Sequence, residues 1–206
     1  MTATPQEARR EAPRPVIAFD YDGTLVDAYT IKRESYWRAV SEVLGLGPEH
    51  RPTVDASYAR TSGAHRFIQF ADTAAALGRT VTDAHRQEFS RRYAAYNEAA
   101  KDQMHEFPSA RTVLEALRAR YDLVLASGLP QADLVTEASR RGLAAFFIEI
   151  EGGDKGRTLD RLRVEGRTVV LFVGDTPHDA SVAAARGIPF YRVGGDADLA
   201  RLPEVL

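Results

Sequence analysis

Residues 16–27 read Val-Ile-Ala-Phe-Asp-Tyr-Asp-Gly-Thr-Leu-Val-Asp, and the predicted fold is built around this stretch. The segment from Val16 to Phe19 is an apolar run with the length of a short buried strand. Asp20 and Asp22 follow it, and Gly23 indicates a turn, because glycine bends the backbone freely. Ligands of open α/β sheets bind at the carboxyl ends of strands. A carboxylate pair at this place can bind a hard cation, attack an electrophile or transfer a proton.

Strand-like and helix-like segments alternate in the second half of the chain. The predicted strands are residues 123–126, 146–150, 169–173 and 190–193. The predicted helices are residues 110–117, 131–141, 159–162 and 179–186. This alternation is typical of a parallel sheet that is covered on both faces and connected by right-handed crossovers. The sequence therefore predicts an α/β fold with a Rossmann-like, doubly wound parallel sheet.

The segment between the first strand and this second half shows helical rather than strand periodicity. Its first predicted helix ends at Gly45, and residues 48–52 are expected to form a loop. Ser62 and Thr82 are expected to cap two further helices. We therefore expect an inserted, all-helical cap.

The predicted domain organisation follows from these patterns. The α/β core is expected to consist of residues 14–27 and 105–206, with the helical cap at residues 28–104. Residues 1–13 are polar and contain proline, which is typical of a flexible N-terminal tail.

Composition excludes several classes of function. The chain has 206 residues and a formal net charge of -2, which gives no electrostatic reason to expect nucleic-acid binding. It contains no cysteine, which excludes disulfides and thiolate chemistry. We see no signal peptide and no apolar run near the ~18 residues of a membrane span. We expect a cytoplasmic protein that does not bind membranes and is a monomer or homodimer.

The stretch Asp20-Tyr21-Asp22-Gly23-Thr24-Leu25 resembles the first motif of phosphatases in the haloacid dehalogenase (HAD) superfamily. The segment from Gly174 to Asp179 resembles the fourth motif, and Ser127 at a strand end resembles the second. The resemblance implies a helical-cap enzyme of the phosphoglycolate phosphatase and β-phosphoglucomutase branch. It implies Mg²⁺ as the cofactor and a small phosphorylated metabolite, such as a sugar phosphate or phosphoglycolate, as the substrate.

The resemblance also implies roles for individual residues. Asp20 would be the nucleophile that forms an aspartyl-phosphate, and Asp22 would be the general acid and base. Mg²⁺ would be bound by Asp20, the backbone carbonyl of Asp22 and Asp175. Asp179 would be an outer partner of the metal site or of the catalytic lysine. Three further residues would contact the phosphate: Ser127, Gly128 and Thr24.

The third motif needs a lysine between the third strand and the fourth motif. Lys155 is the candidate, because no other lysine follows Ser127 in the chain. Related sequences usually have proline after this lysine, whereas this chain has Gly156. Arg157 is therefore kept as the alternative to Lys155.

The cap is expected to close over the site and to exclude water. The candidate substrate contacts in the cap are Tyr29, Arg33, Arg60, His65 and Arg66, of which Arg60 and Arg66 are preferred. The backbone amides of Ser62 and Gly63 are candidates for binding an anionic group.

Three functions remain open at this stage. The first is a Mg²⁺-dependent phosphatase, and the second is a sugar phosphomutase whose cap would hold a bisphosphorylated intermediate away from water. The third is a non-catalytic binding protein on the same fold. The presence of Asp22 favours phosphoester chemistry over the dehalogenase and phosphonatase branches, which have other residues at this position.

Overall fold

The computed structural model describes residues 14–206, so the expected tail at residues 1–13 lies outside the described part of the chain. The strands are β1 (Val16–Phe19), β2 (Val26–Asp27), β3 (His105–Glu106), β4 (Asp122–Ser127), β5 (Glu149–Gly152), β6 (Val169–Gly174) and β7 (Phe190–Arg192). The α-helices are α1 (Tyr29–Leu44), α2 (Arg51–Thr61), α3 (Arg66–Ala76), α4 (Asp83–Ala100), α5 (Ala110–Arg118), α6 (Gln131–Arg140), α7 (Lys155–Val164), α8 (Pro177–Ala184) and α9 (Asp196–Arg201).

The main sheet is parallel and has the strand order β5-β4-β1-β6-β7. Strand β1 lies at its centre, and all four of its residues are buried. Ile17 and Phe19 pack on the side of α5 and α6, whereas Ala18 packs against α7 and α8 on the other side. Because alternate residues of a strand face opposite sides, this packing explains the continuous apolar run of β1. The predicted doubly wound α/β fold is confirmed.

Helices α1 to α4 form the cap between β2 and β3, as predicted. The cap has its own hydrophobic core, in which the rings of Phe70 and Phe89 stack with centroids 4.4 Å apart. Tyr36 meets Phe89 edge to face. Strands β2 and β3 pair antiparallel where the chain enters and leaves the cap. The cap boundaries at residues 28 and 104 stay predictions.

Some local predictions were wrong in the cap. Residues 51–61 form α2 where part of the loop 48–52 was expected, because Pro52 sits in the first helical turn, where no backbone N–H donor is needed. Ser62 follows the end of α2, and His65 instead caps α3, with its Nδ1 accepting from the Phe67 amide. The predicted cap by Thr82 is confirmed, since its hydroxyl accepts from the His85 amide of α4.

Two elements beside the site differ in length from the prediction. Strand β5 begins at Glu149, because residues 144–146 form a 3₁₀ turn. Helix α7 begins at Lys155, several residues before the predicted start. Asp154 caps this helix by accepting from the Arg157 amide at 3.1 Å, which satisfies one of the free donors of the first turn. The cap by Asp154 therefore places Lys155 at the start of a helix.

Among residues 14–206, no helix is both long enough and apolar enough to cross a membrane.

Candidate active site

The carboxyl ends of β1, β4 and β6 lie side by side in the sheet. Asp20 follows β1, Ser127 ends β4 and Asp175 follows β6, so their side chains meet at one edge. These side chains line a cavity of about 1080 Å³ between the core and the cap. The core residues that line this cavity include Asp20, Asp22, Gly23, Ser127, Gly128, Gly153, Lys155, Asp175, Thr176 and His178.

Three buried or half-buried carboxylates lie close together in this site. Asp20, Asp175 and Asp179 each offer an oxygen within 4.8 Å of the others. Burial, and then the negative charges of Asp179 and Asp175, raise the pKa of Asp20 well above its usual range, although Lys155 opposes the shift. Burial and the charge of Asp179 raise the pKa of Asp175 to about 6. The raised pKa values of Asp20 and Asp175 show that Lys155 does not fully offset the negative charge around them, which favours an additional cation at this place.

Lys155 connects two of these carboxylates. Its Nζ lies 2.9 Å from Asp20 Oδ1 and donates to Asp179 Oδ1 at 2.6 Å. Burial opposes the charged form of Lys155, but the charges of Asp20 and Asp179 outweigh it and raise its pKa. Arg157, the alternative to Lys155, is exposed and lies outside the cavity lining. The geometry therefore favours Lys155 for the third-motif position.

Asp175 and Asp179 differ in the bonds that their carboxylates make. Both oxygens of Asp179 have protein partners, because Oδ1 accepts from Lys155 and Oδ2 accepts from the hydroxyl of Thr176 at 2.6 Å and from its amide at 3.1 Å. Asp175 Oδ1 is buried and has no partner among the described residues. An oxygen without a protein donor is suited to bind a cation, whereas Asp179 is suited to orient Lys155.

Gly23 allows the turn after β1 to lie close to the carboxylate of Asp175. Its backbone has φ +79°, in the left-handed region, and a Cβ at this position would overlap the carboxylate of Asp175. The turn can therefore approach Asp175 only with glycine at residue 23. Carboxylate oxygens and a backbone carbonyl are hard ligands of the type that Mg²⁺ prefers, so the donor set of Asp20, Asp22 and Asp175 fits this ion.

Asp22 has a partner that the sequence analysis did not assign. The ammonium group of Lys32, on cap helix α1, donates to Asp22 Oδ2, and both side chains are mostly shielded from solvent. Burial opposes the charge of Lys32, but Asp22 outweighs it, so that the pKa of Lys32 is raised. Lysine is rare in this arginine-rich chain, with only Lys32, Lys101 and Lys155. The rarity of lysine was the feature of the sequence that could have indicated a role for Lys32, since two of the three lysines contact carboxylates of the site.

The structure separates the predicted substrate contacts into two groups. Tyr29, His65, Arg66, and the Ser62-Gly63 pair line the cavity, whereas Arg33 does not. Arg66 donates to Ser90 Oγ at 3.3 Å and has no carboxylate partner within 4 Å among residues 14–206. In the core, Ser127 and Gly128 line the cavity, and their contact with a phosphate stays a prediction.

Two predicted substrate contacts, Arg60 and Thr24, lie outside the cavity lining. Arg60 is exposed and pairs with Asp72 at 2.5 Å, because its position on α2 points it along the surface of the cap. Thr24 is completely buried beneath the turn. In this arrangement neither side chain lines the cavity, which does not favour a substrate contact by either residue, and both contacts stay predictions.

The cap also contributes residues that the sequence analysis had assigned to packing or had not considered. Tyr58, Tyr93 and Asn97 line the cavity, and Asn97 Oδ1 is buried without a partner among the described residues. Tyr58 and Tyr93 also belong to the hydrophobic core of the cap. Because both tyrosines occupy apolar positions of their helices, the sequence pattern alone could not reveal that they also face the cavity.

Comparison with known proteins gives one family. Residues 15–187 match the haloacid dehalogenase-like hydrolases, and the chain belongs to this family. It is therefore a hydrolase of the HAD superfamily with a helical cap. A comparison with curated proteins finds no significant match.

Solved structures share the fold at low sequence identity. A haloacid dehalogenase-like hydrolase from Streptococcus pneumoniae is 22% identical, with a TM-score of 0.68 and coverage of 90% of this chain and 89% of that one. A predicted phosphoglycolate phosphatase from Haemophilus somnus is 20% identical, with a TM-score of 0.69 and coverage of 93% and 97%. A predicted β-phosphoglucomutase from Thermotoga maritima is 20% identical, with a TM-score of 0.59 and coverage of 93% and 100%. At these identities, the likeness shows the fold alone.

Proposed function

We propose that this hydrolase is a Mg²⁺-dependent phosphomonoesterase that acts on a small phosphorylated metabolite through an aspartyl-phosphate. The observation that carries the proposal is the contact of Lys155 with Asp20 at a buried strand end, where the two charged atoms are 2.9 Å apart. Beside it lies the carboxylate of Asp175, one oxygen of which has no partner among residues 14–206. This combination offers a nucleophile, a cation that offsets its charge and ligands for a metal ion.

In the first step, a carboxylate oxygen of Asp20 forms a bond to phosphorus while the bond from phosphorus to the leaving oxygen breaks. Asp22 gives its proton to that oxygen, so the product leaves as an alcohol. In the second step, Asp22 takes a proton from water, and the water oxygen attacks phosphorus. The Asp20–phosphorus bond then breaks, which releases inorganic phosphate and restores the Asp20 carboxylate.

The other site residues stabilise the transferred phosphoryl group. Lys155, Ser127 and Gly128 line the cavity. The ammonium group, the hydroxyl and the amide of these residues would contact the phosphoryl oxygens, which carry most of the charge in the transition state. Asp20, the backbone carbonyl of Asp22 and Asp175 would hold Mg²⁺, and Asp179 would orient Lys155. When bound, the ion supplies positive charge that offsets the carboxylates and the phosphate.

The cap side of the cavity indicates a polar leaving group. Arg66 has no carboxylate partner within 4 Å among residues 14–206, and Asn97 Oδ1 lacks a donor in the same range. Together with the hydroxyl groups of Tyr29, Tyr58 and Tyr93, they favour a substrate that carries hydroxyl or anionic groups beyond its phosphate. Sugar phosphates and phosphoglycolate both satisfy this requirement.

The proposal is tested by release of inorganic phosphate from sugar phosphates, phosphoglycolate, nucleotides and an aryl phosphate, with Mg²⁺ and with a chelator. We expect Mg²⁺-dependent release by the wild type and its loss, by a factor of about 10⁴ or more, in Asp20→Asn. Asp102→Asn, at an exposed site on the surface, is the matched control and should behave like wild type.

Each alternative function predicts a different result in this experiment. Transfer of phosphate between sugar hydroxyls without net release would indicate a mutase. Absence of both reactions on the whole panel would favour a non-catalytic binding protein. Release that persists in Asp20→Asn would contradict Asp20 as the nucleophile.

A further inference from the structure

We propose that Lys32 is a positioning residue, which holds the carboxyl group of Asp22 in the orientation needed to protonate the leaving oxygen. The inference rests on the proposed function, because it concerns the acid in that reaction. It assigns a catalytic contribution to the first helix of the cap, in addition to any contact that the cap makes with substrate.

Lys32 and Asp22 form an ion pair that is largely shielded from solvent. Lys32 Nζ donates to Asp22 Oδ2, and the two side chains are 16% and 23% exposed. Among residues 14–206, no other side chain forms a hydrogen bond or ion pair with the Asp22 carboxylate. Surface ion pairs with freely moving side chains contribute little, but a shielded pair with one geometry can orient a group.

The position of Lys32 in the fold is fixed at the junction of cap and core. Its amide donates to the carbonyl of Ala28 at 2.9 Å, in the first turn of α1, and Ala28 is completely buried. Asp22 belongs to the turn after β1 in the core, so the ion pair crosses from the cap to the core. The orientation of Asp22 therefore depends on where the cap helix lies.

The two lysines of the site have separate targets. Lys155 of the core contacts Asp20, and Lys32 of the cap contacts Asp22. A carboxyl group without a partner rotates easily, because its terminal torsion has a broad distribution. With Oδ2 held by Lys32, Oδ1 is the oxygen left to face the leaving group.

Leaving-group chemistry distinguishes this role from a general effect on folding or binding. An alkyl phosphate releases a strongly basic alkoxide and needs the proton from Asp22, whereas p-nitrophenyl phosphate releases a weakly basic phenolate and does not. The ratio kcat/KM includes only steps up to the formation of the aspartyl-phosphate. Comparing kcat/KM for the two substrates therefore isolates the protonation that Lys32 is proposed to support.

The test compares Lys32→Met with wild type on glucose 6-phosphate, or on the best alkyl phosphate of the panel, and on p-nitrophenyl phosphate. We expect kcat/KM to fall roughly 10²-fold for the alkyl phosphate and only a few-fold for the aryl phosphate. Lys32→Arg, which keeps a charged donor, should recover part of the loss. Lys101→Met, the same change at a half-buried lysine that pairs with Glu98 and lies outside the cavity lining, should leave both values unchanged.

A double-variant cycle with Asp22→Asn provides an independent readout. If Lys32 acts through Asp22, Lys32→Met should add little to the loss that Asp22→Asn already causes. Losses that multiply, or equal losses on the alkyl and aryl substrates, would overturn the inference while leaving the proposed function in place. Absence of any wild-type turnover would overturn both. Lys32→Gln supplies the same comparison if Lys32→Met does not fold.

Discussion

Asp175 and Asp179 lie only four residues apart, yet their surroundings suit them to different tasks. Asp179 is completely buried and accepts from Lys155 and Thr176, so its carboxylate has all the donors that it needs. Asp175 has a buried oxygen without a donor among residues 14–206, and the lack of a side chain at Gly23 leaves room for its carboxylate. At the scale of single residues, hydrogen-bond partners rather than motif spacing distinguish the proposed metal ligand from the residue that is proposed to orient Lys155.

The pKa of Asp175 leads to a prediction about metal and pH. Without metal, its native pKa is raised to about 6, so between about pH 4 and pH 6 the native state keeps a proton that the unfolded chain has lost. The free energy of unfolding of the metal-free protein should therefore fall as the pH rises through this interval. Because Mg²⁺ competes with that proton, it should raise Tm more at pH 7 than at pH 5.

Thermal unfolding with Mg²⁺ and with a chelator at the two pH values measures both effects. Asp175→Asn removes the titrating group and one proposed ligand, and should abolish most of the shift in Tm caused by Mg²⁺. An equal Mg²⁺ effect on Tm at pH 5 and pH 7 in the wild type would contradict the role of Asp175.

At the scale of elements, the site lies where strands end and helices begin. Strands β1, β4 and β6 end at the cavity, while α7 begins at Lys155 and α8 begins after Thr176. Apolar runs and turn residues were enough to predict β1 completely and to predict each end of β4 and β6 to within one residue. They failed for α2, because a proline in the first turn of a helix resembles a proline in a loop.

Helix α4 belongs to the helical cap, and Thr82, the residue at its N-terminus, lies outside the cavity lining. A change at Thr82 should therefore alter stability but not catalysis. Thr82 accepts from the His85 amide at 3.2 Å. Thr82→Ala should lower the free energy of unfolding by about 1 kcal/mol, because one amide of the first turn loses its partner. Urea unfolding measures the loss, and kcat/KM should not change. Thr80→Ala, at a nearby exposed threonine, is the control, and an equal effect there would argue against the cap.

At the scale of the whole molecule, the important contact is between the cap and the edge of the core sheet. The loop that contains Ser62 and Gly63 lies against Thr176 and His178 of the core. The backbone of Gly63 has φ +85°, and a Cβ there would overlap Thr176 Oγ1 and lie 3.2 Å from His178 Cβ. Thr176 cannot move away easily, since its hydroxyl bonds to Asp179.

Gly63→Ala should therefore push the cap loop away from the core and lower kcat/KM by roughly tenfold or more. Gly78→Ala is a matched control in the same cap, because Gly78 also has a positive φ, +64°, but has open space where its Cβ would lie. Both variants should lose about 1–2 kcal/mol of stability from backbone strain, and only Gly63→Ala should lose activity. Similar activity losses in both would mean that strain, not cap placement, is the cause.

The sequence by itself determined that the core is a parallel sheet, that a helical cap is inserted after the first strand, and which residues lie at the strand ends. These features depend on local causes: apolar runs form buried strands, and helical periodicity indicates the cap. Asp20 and Ser127 directly follow predicted strands, and Asp175 follows one after a single glycine. Since neighbouring parallel strands place their carboxyl ends together, the meeting of these three residues also followed from the pattern.

Only the tertiary structure decided which side chains contact each other. The pairing of Lys32 with Asp22, the engagement of Asp179 by Lys155, and the position of Arg60 beside Asp72 each join different elements. Local patterns determine how a few neighbouring residues fold, whereas these contacts depend on how helices of the cap and core pack. The position of the cap relative to the core therefore determines how Asp22 is held and which cap side chains line the cavity, whereas the contacts of Lys155 lie within the core.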